Sequence, residues 1–303
     1  MSSPINSSSF AKALWPGINA WYGNAYDEWP EEFKGLFDEE GSSRSHEEDQ
    51  GTTGFGMAAA KAEANAIQYD EESQAFTTRY QHVVYALGFI VTREIFEDDQ
   101  YDVVGKRRAE ALAFSMRQTK ETVAANVYNR AFNTSFTGGD GSAMCVTSHA
   151  NFSGGTWSNR LATDADLSEA SLEQACIDIM KFTNDRGLKI KVVPESLILP
   201  VDLVFEAKRI LGSEGRVGTA DNDLNALKSM GSMSNVVVNH YLTDPDAWFI
   251  RTNVQNGLKC FQRRAMEFGV DNDFDTENAK YKATERYSFG WTDPRAIYGT
   301  EGA

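Results

Sequence analysis

The longest regular pattern of apolar and small residues runs from Asp98 to about Phe136 and contains no proline. Its members recur at steps of three and four, which is the spacing of one helix face. They are Val104, Ala111, Leu112, Ser115, Met116, Thr119, Val123, Val127 and Ala131. Asp98 or Asp99 can cap the start, and the Thr-Gly-Gly at 137–139 is typical of a helix end. The pattern predicts one helix over about 98–135, of which about thirty residues at about 1.5 Å each would span roughly 45 Å.

The charged residues of this stretch lie mostly off the apolar stripe. They are Lys106, Arg107, Arg108, Arg117, Lys120 and Arg130, with Glu121 as a counter-charge. An ordinary buried amphipathic helix has the same pattern, so the stripe by itself indicates no function.

The patterns on either side of this helix predict a mixture of strands and short helices. Residues 76–91 are rich in Thr, Tyr, Val and Phe and predict a long strand, with a turn at 70–73 from which a hairpin can fold back. A glycine-rich loop with one short hairpin follows the long helix. Further helices are predicted at 172–182 (starting near Ser168 or Ser171), 201–211 and 224–228, and strands at 188–199 (with a break at Pro194), 236–240, 248–252 and 258–264, before extended segments to 289. The sum is an α+β fold.

Residues 1–50 carry three of the six tryptophans on a stretch that prolines and glycines interrupt. The aromatic residues are Trp15, Trp21, Tyr22, Tyr26, Trp29, Phe33 and Phe37. They form either a satellite cluster on the chain's own core or contacts for a partner, and the sequence favours neither. Residues 38–54 are acidic and glycine-rich, and they predict a disordered, solvated loop.

Composition and charge argue against two functional classes, membrane-spanning proteins and nucleic-acid-binding proteins. No run approaches eighteen consecutive apolar residues, so no membrane span is predicted. The three cysteines are widely spaced, which is typical of reduced thiols. The net charge of −15 argues against a surface that grips nucleic acid.

Candidate catalytic and metal-binding groups are sparse. Cys145 and His149 lie four apart on a loop and could form a nucleophile and base, but no orienting third residue is marked. Asp271, Asp273 and Asp275 have the spacing of a calcium loop whose turn glycine and twelfth-position glutamate are both replaced. The four histidines show no paired-ligand spacing. We therefore predict no catalytic residue, no cofactor and no metal.

Several motifs spread along the chain carry a resemblance to a known family. In order they are WPEEFKGLF before the acidic loop, VTREIFEDDQY at 91–101, VYNRAF at 127–132, TSHANFSGGTWSN at 147–159, LILPVDLVFEAKRIL at 197–211, VVVNHYLTDPDAWFI at 236–250 and YSFGWTDPRAIYG at 287–299. Together they resemble the major capsid proteins of tailed bacteriophages, in particular the Mu-like major head subunit family. The resemblance covers nearly the whole chain and implies the Hong Kong 97-type capsid fold.

The resemblance also implies a division of the chain. An N-arm would occupy 1–50, an E-loop hairpin 51–92, a P-domain with its spine helix 93–164, an A-domain 165–262, and the returning strands of the P-domain 263–303. Contacts between subunits would come from the aromatic N-arm and from an A-domain loop near the symmetry axes: Trp15, Trp21, Trp29, Phe33, Phe37, Arg216, Asp221 and Lys228. Lys61 is the one E-loop lysine that could cross-link to a neighbour, although a solvated lysine is the simpler expectation.

The implied function is structural. Many copies would assemble as hexamers and pentamers into an icosahedral head around double-stranded DNA, which they would not bind sequence-specifically. Scaffold, portal and decoration proteins would be further partners, and the protein would reside in the virion after assembly in the host bacterial cytoplasm. Two alternatives remain: an encapsulin-type shell that encloses a protein cargo, and a hydrolase that uses Cys145 and His149.

Overall fold

The computed structural model describes residues 21–92, 94, 101–215, 223–231, 233, 235–273 and 278–303. Several residues singled out from the sequence lie outside these ranges: Trp15, the helix caps Asp98 and Asp99, Arg216, Asp221 and Asp275.

The described elements form an α+β fold. The helices are α1 over 21–28, α2 Tyr101–Asn129, α3 Glu169–Met180, α4 Val204–Gly212 and α5 Ala226–Met230, with 3-10 turns at Glu32–Gly35, Val201–Leu203 and Pro294–Ala296. The strands are β1 Asp38–Gly41, β2 His46–Thr52, β3 Gln74–Gln81, β4 Val83–Val91, β5 His149–Ala150, β6 Thr156–Trp157, β7 Pro194–Leu199, β8 Asn235–Val238, β9 Trp248–Thr252, β10 Leu258–Asn272, β11 Ala279–Trp291 and β12 Ile297–Thr300.

The first sheet has the order β1-β10-β11-β4 and packs against the long helix α2. Strands β10 and β11 form a long antiparallel hairpin, β4 pairs antiparallel with β11, and β1 pairs parallel with β10. Alternate residues of β11 are buried, as expected for a sheet with one covered face. The 29-residue helix confirms the predicted spine, although it ends at Asn129, several residues earlier than expected.

The buried face of α2 differs from the predicted stripe. Ala111 is exposed and Val123 and Val127 are only half-buried. The helix instead buries Ala109, Leu112, Ala113, Met116, Ala124, Ala125 and Tyr128 together with the charged Arg117, Lys120 and Glu121. These three charged residues are buried although the sequence places them mostly off the apolar stripe, because partners from distant segments compensate them inside the fold. The alanines let the sheet and α1 approach closely.

The second sheet has the order β12-β9-β7-β8 and shares its core with α3 and α4. Helix α3 begins where the sequence predicted, because Ser168 and Ser171 form a reciprocal capping box. Strand β7 begins only at Pro194 rather than at 188, since a proline has no N–H for the ladder and residues 184–188 form a turn around the Asn184 side chain. Strand β9 matches its prediction.

The acidic region was predicted to be disordered, and this prediction is wrong. Residues 46–52 form β2, which pairs antiparallel with β3 from His46↔Gln81 to Thr52↔Gln74. The predicted long strand at 76–91 is split at His82, whose buried ring contacts Ser42 at 3.0 Å and Ser288 at 2.9 Å. Strand β3 therefore belongs to a separate two-stranded hairpin, and β4 to the first sheet. We call residues 46–81 the hairpin and residues 53–73 its tip.

Candidate assembly surfaces

The N-terminal segment, defined as residues 21–37, packs into the core of its own chain. Tyr22 stacks on Phe268 with ring centroids 4.8 Å apart and belongs to a cluster that includes alanines of α2. Phe33 and Phe37 are 1% and 2% exposed. Both rings meet Phe289 of β11 edge-on, at 5.7 and 5.0 Å. The segment is therefore part of the subunit's own core.

This placement corrects the expectation that Phe33 and Phe37 contact a neighbouring subunit. The breaks around Pro30 let the chain bend from α1 into a 3-10 turn that carries Phe33, and Phe37 follows two residues after the turn. Both rings then lie in one core cluster with residues of α2 and the first sheet. Trp21 is half-buried in the same region. Trp29 differs, because it is 43% exposed and rests on Phe114 with ring centroids 4.8 Å apart. Of the predicted aromatic contacts, Trp29 is the one whose ring lies largely at the surface of the described chain.

Polar groups of α2 hold the N-terminal segment at two points. Arg117 is buried, forms an ion pair with Glu31 at 2.6 Å, and donates to the carbonyl oxygen of Tyr26 at 3.1 Å. Its guanidinium also lies 3.8 Å from the centroid of the Tyr26 ring. One turn later, the carboxylate of Glu121 accepts hydrogen bonds from the backbone N–H of Glu32 at 3.1 Å and of Phe33 at 2.9 Å.

A second buried carboxylate links the segment to the first sheet. The hydroxyl of Tyr26 donates to Glu285 of β11, and Lys120 lies 3.8 Å from the same carboxylate. Burial and the Glu285 charge both raise the pKa of Tyr26, which keeps the hydroxyl protonated as a donor. Burial raises the pKa of Glu121 to about 7, although the Phe33 amide and Arg117 act in the opposite direction. The sequence signal that could have indicated this network is the spacing of Arg117, Lys120 and Glu121 on one side of a helix.

The hairpin exposes large apolar side chains, whereas the N-terminal segment buries them. Its tip exposes the large apolar side chains of Phe55, Met57, Ile67 and Tyr69, the last of them 90% exposed. Lys61, the candidate for cross-linking, is exposed on the same tip. The chain between β2 and β3 has no helix or strand of its own to bury these side chains.

One ion pair ties the base of the tip to the body. Asp70 lies 3.0 Å from Arg186, which follows α3, and its carboxylate accepts the Gly56 N–H at 2.7 Å. Arg186 also donates to the carbonyl oxygen of Glu71. The Gly56 N–H and the Arg186 guanidinium together lower the pKa of Asp70. The tip is thus held in a defined direction by contacts that remain partly open to water.

Of the charged residues predicted for the A-domain loop, the structure describes Lys228. Its ammonium donates to the Gly212 carbonyl oxygen at 2.9 Å and lies 3.8 Å from Glu214. The buried Asn225 side chain caps α5 and donates to backbone carbonyls at the end of α4. These contacts fold the described part of the loop back on α4.

Cys145 and His149 are both buried and do not form a nucleophile–base pair. The ring nitrogens of His149 contact Asp140 at 2.6 Å and Asn159 at 2.9 Å. Burial raises the pKa of the Cys145 thiol, which disfavours the reactive thiolate. The arrangement is that of a structural core and gives no support to the hydrolase alternative.

The described residues contain no group of three or more His, Cys, Asp or Glu side chains placed to hold a metal ion. None of the helices in the described part of the chain is long and apolar enough to cross a membrane.

This chain is similar to one protein family and to several solved capsid structures. A family model described as phage capsid protein matches residues 73–300. No curated protein sequence matches the chain. The capsid of a native GTA particle is 11% identical with a TM-score of 0.53, covering 91% of this chain and 92% of its own. A Mycobacterium phage Patience chain is 11% identical with a TM-score of 0.52, covering 99% and 89%. The procapsid of bacteriophage JBD30 is 11% identical with a TM-score of 0.52, covering 96% and 75%. At this identity the likeness shows the fold, and it confirms the predicted Hong Kong 97-like capsid fold.

Proposed function

Because this chain belongs to the phage capsid protein family, we propose that many copies self-assemble into the icosahedral head of a tailed bacteriophage and enclose double-stranded DNA. The family's role is that of a capsid shell, which is structural. The proposed partners are other copies, as hexamers and pentamers, and scaffold, portal and decoration proteins. Assembly would take place in the host bacterial cytoplasm, before the protein becomes part of the virion.

The tip of the hairpin is the observation that carries the assembly proposal. Four large apolar side chains stand in water there, on a stretch without secondary structure. Soluble monomers rarely expose contiguous apolar surface unless a partner covers it. A second copy of the chain supplies that partner in a shell. Burying a side chain of this size contributes roughly 1.5–3 kcal/mol, so repeated contacts of this kind sum to a stable particle.

The charge of the chain supports enclosure of DNA rather than tight binding to it. A net charge of −15 repels phosphate at long range, and a shell has to hold its contents without fixing them in one position. The contact between shell and DNA would therefore be weak and independent of sequence.

We propose the domain division implied by the resemblance, adjusted by the strand pairing: β10, from Leu258, belongs to the first sheet, and β12, at Ile297–Thr300, belongs to the second. The hairpin starts at His46, so the E-loop would begin there rather than at 51. The N-arm would then comprise the residues before β2, the P-domain would be built around α2 and the first sheet, and the A-domain around the second sheet. Trp29 and Lys228 remain proposed contacts between subunits, since both lie at the surface.

Expression of the full chain, alone and together with a scaffold protein, tests the proposal directly. We expect sedimentation to show capsomers or closed particles, and negative-stain electron microscopy to show shells. Analysis of particles isolated from a phage lysate separates two kinds of shell: double-stranded DNA inside supports the head, whereas a protein cargo supports the encapsulin-type alternative. A stable monomer at high concentration under both conditions would contradict the proposal.

A further inference from the structure

Strand β4 is an outer strand of the first sheet, and its nine residues include neither a charged residue nor a proline. The other outer strands of the two four-stranded sheets, β1, β8 and β12, have only four residues each. Four large apolar side chains of β4 are about half exposed: Val83, Val84, Leu87 and Ile90. Arg108 donates to the Ile90 carbonyl oxygen at 2.8 Å, and none of the strands in the described part of the chain pairs with the free edge. Long uncharged edges are rare in natural sheets, because they pair with other chains.

The sequence of β4, VVYALGFIV, is chemically symmetric about its central residue, Leu87. Outwards from Leu87, both sides present first a small residue, then an aromatic residue, then a β-branched residue and finally a valine. Two β4 strands that pair antiparallel around Leu87 therefore place side chains of the same kind opposite each other at every position. The opposed residues are Leu87 and Leu87, Ala86 and Gly88, Tyr85 and Phe89, Val84 and Ile90, and Val83 and Val91. Aromatic and β-branched pairs of this kind stabilise sheets.

We propose that two copies of the chain join their first sheets edge to edge, β4 to β4, in antiparallel register around a two-fold axis at Leu87. The contact is isologous, because each copy contributes the same strand. The inference rests on the proposed shell function, for which it names one contact between subunits and the residues that form it.

Aromatic rings that already stack inside each subunit would continue across the axis. Tyr85 stacks on Tyr287 of β11 with ring centroids 4.7 Å apart, and Phe89 stacks on Tyr281 of β11 at 4.9 Å. In the proposed register, Tyr85 of one copy lies opposite Phe89 of the partner subunit. Each pair of subunits thus gains two rows of four rings that cross the joint, and aromatic pairs contribute more than the area that they bury.

The charges near β4 do not oppose this approach. The neighbouring strand β11 carries Lys280, Lys282 and Arg286. In the proposed register the β11 strands of the two copies are three strand spacings apart, or about 14 Å at about 4.8 Å per spacing. This separation exceeds the Debye length of about 8 Å at physiological ionic strength, so solvent ions screen the repulsion. Arg108 can remain on the Ile90 carbonyl oxygen, because such an oxygen accepts two hydrogen bonds.

The joint between two β4 strands is small, and it adds to the contacts of the tip rather than replacing them. A stable interface buries about 800 Å² on each partner, which is more than a single nine-residue strand presents. We therefore expect β4 to pair between copies that contacts of the tip already hold together. The assembled protein is the sample in which the pairing can be measured.

Cysteine cross-linking of the assembled full chain tests the register, because the three native cysteines are buried. Samples are oxidised mildly, and covalent dimers are measured on non-reducing gels. Leu87→Cys places two thiols opposite each other at the axis, within the separation that a disulfide spans. Val84→Cys is the matched control, since its two copies lie six residues apart along the joint, about 20 Å at about 3.4 Å per residue. We expect at least about tenfold more dimer from Leu87→Cys than from Val84→Cys.

A mixture of two variants tests the same register without changing Leu87. Ile90→Cys alone should give as little dimer as Val84→Cys alone, because its copies are equally far apart. Particles assembled from equal amounts of the two variants should give dimers, because Val84 of one copy lies opposite Ile90 of the partner subunit. Thermal melting of each variant checks that it folds, and the mixture decides the result if Leu87→Cys does not fold.

Three results would overturn the pairing while leaving the shell function intact. They are particles in which neither Leu87→Cys nor the mixture forms dimers, a Val84→Cys variant that cross-links to itself, and a Leu87→Cys variant that cross-links to Tyr69→Cys chains instead of to itself. The last result would assign the edge to the tip of the hairpin. Subunits that neither assemble nor cross-link would contradict both the pairing and the shell function.

Discussion

The N-terminal segment and the hairpin lie on either side of β1, yet the fold uses them in opposite ways. Both carry acidic residues and aromatic residues on stretches without long helices. The segment buries Phe33 and Phe37 between α2 and the first sheet, whereas the hairpin leaves Phe55 and Tyr69 in water. Aromatic density alone therefore does not distinguish a subunit's own core from a surface for other subunits.

The difference lies in the polar partners that the two regions find. Within the segment, backbone N–H groups and charges meet the buried Glu121 and Arg117 of α2. At the hairpin, the corresponding contact is the partly exposed pair of Asp70 and Arg186. Buried polar groups that are satisfied fix one arrangement, while an exposed ion pair contributes little to stability. We therefore expect changes in the segment to affect folding and changes in the hairpin to affect assembly.

The largest expected effect is on stability, from Phe33→Ala. Removing a fully buried ring that packs against Phe289 leaves a cavity, and such changes cost about 3–5 kcal/mol of unfolding free energy. Chemical denaturation of the purified protein measures the loss. Trp29→Ala is the matched control, and with 43% of Trp29 already exposed we expect about 1 kcal/mol. Equal, small losses for both variants would remove the distinction between core and surface aromatics.

A smaller loss is expected when Lys120 is replaced by methionine. Lys120 is the cation beside the buried Glu285, so Lys120→Met leaves that carboxylate without its counter-charge at a cost of roughly 3 kcal/mol. Adding Glu285→Gln removes the uncompensated charge and should restore a large part of the stability. A double-mutant cycle by chemical denaturation checks the coupling. Simple additivity of the two changes would show that the pair is not coupled.

The smallest effect on stability is expected from Arg186→Ala in the hairpin contact. The melting temperature should remain that of the wild type, as it should for the control Arg209→Ala, which removes an exposed helix pair with Glu206. Limited trypsin digestion then distinguishes the two variants. Cleavage after Lys61 should accelerate only in Arg186→Ala, because the tip loses its fixed direction. Unchanged cleavage would mean that Arg186 does not position the tip.

Local signals in the sequence predicted a large part of this fold. The long proline-free pattern indicated α2, the serine pair at 168 and 171 indicated the start of α3, and the apolar run at 248–252 indicated β9. These elements carry their own caps or periodicity, so neighbouring residues suffice to predict them.

The features that the sequence did not predict depend on residues that are far away in the chain. Strand β1 is a short acidic stretch that becomes a strand because it pairs with β10, in the register Asp38↔Lys259. The rotation of the buried face of α2 could not be read from the helix alone, because Arg117 and Glu121 are buried by residues some ninety positions away. Sequence patterns near a residue give its preference for a face, and distant charges can reverse that preference.

The most direct test of the account replaces the exposed apolar residues of the tip, Phe55, Met57, Ile67 and Tyr69, by serine. Sedimentation velocity over a range of concentrations measures assembly, and thermal melting followed by circular dichroism measures folding in the same samples. We expect the variant to melt like the wild type and to remain as single subunits, because the tip contributes to contacts between copies and not to the core. Particles of normal size from this variant would contradict the account.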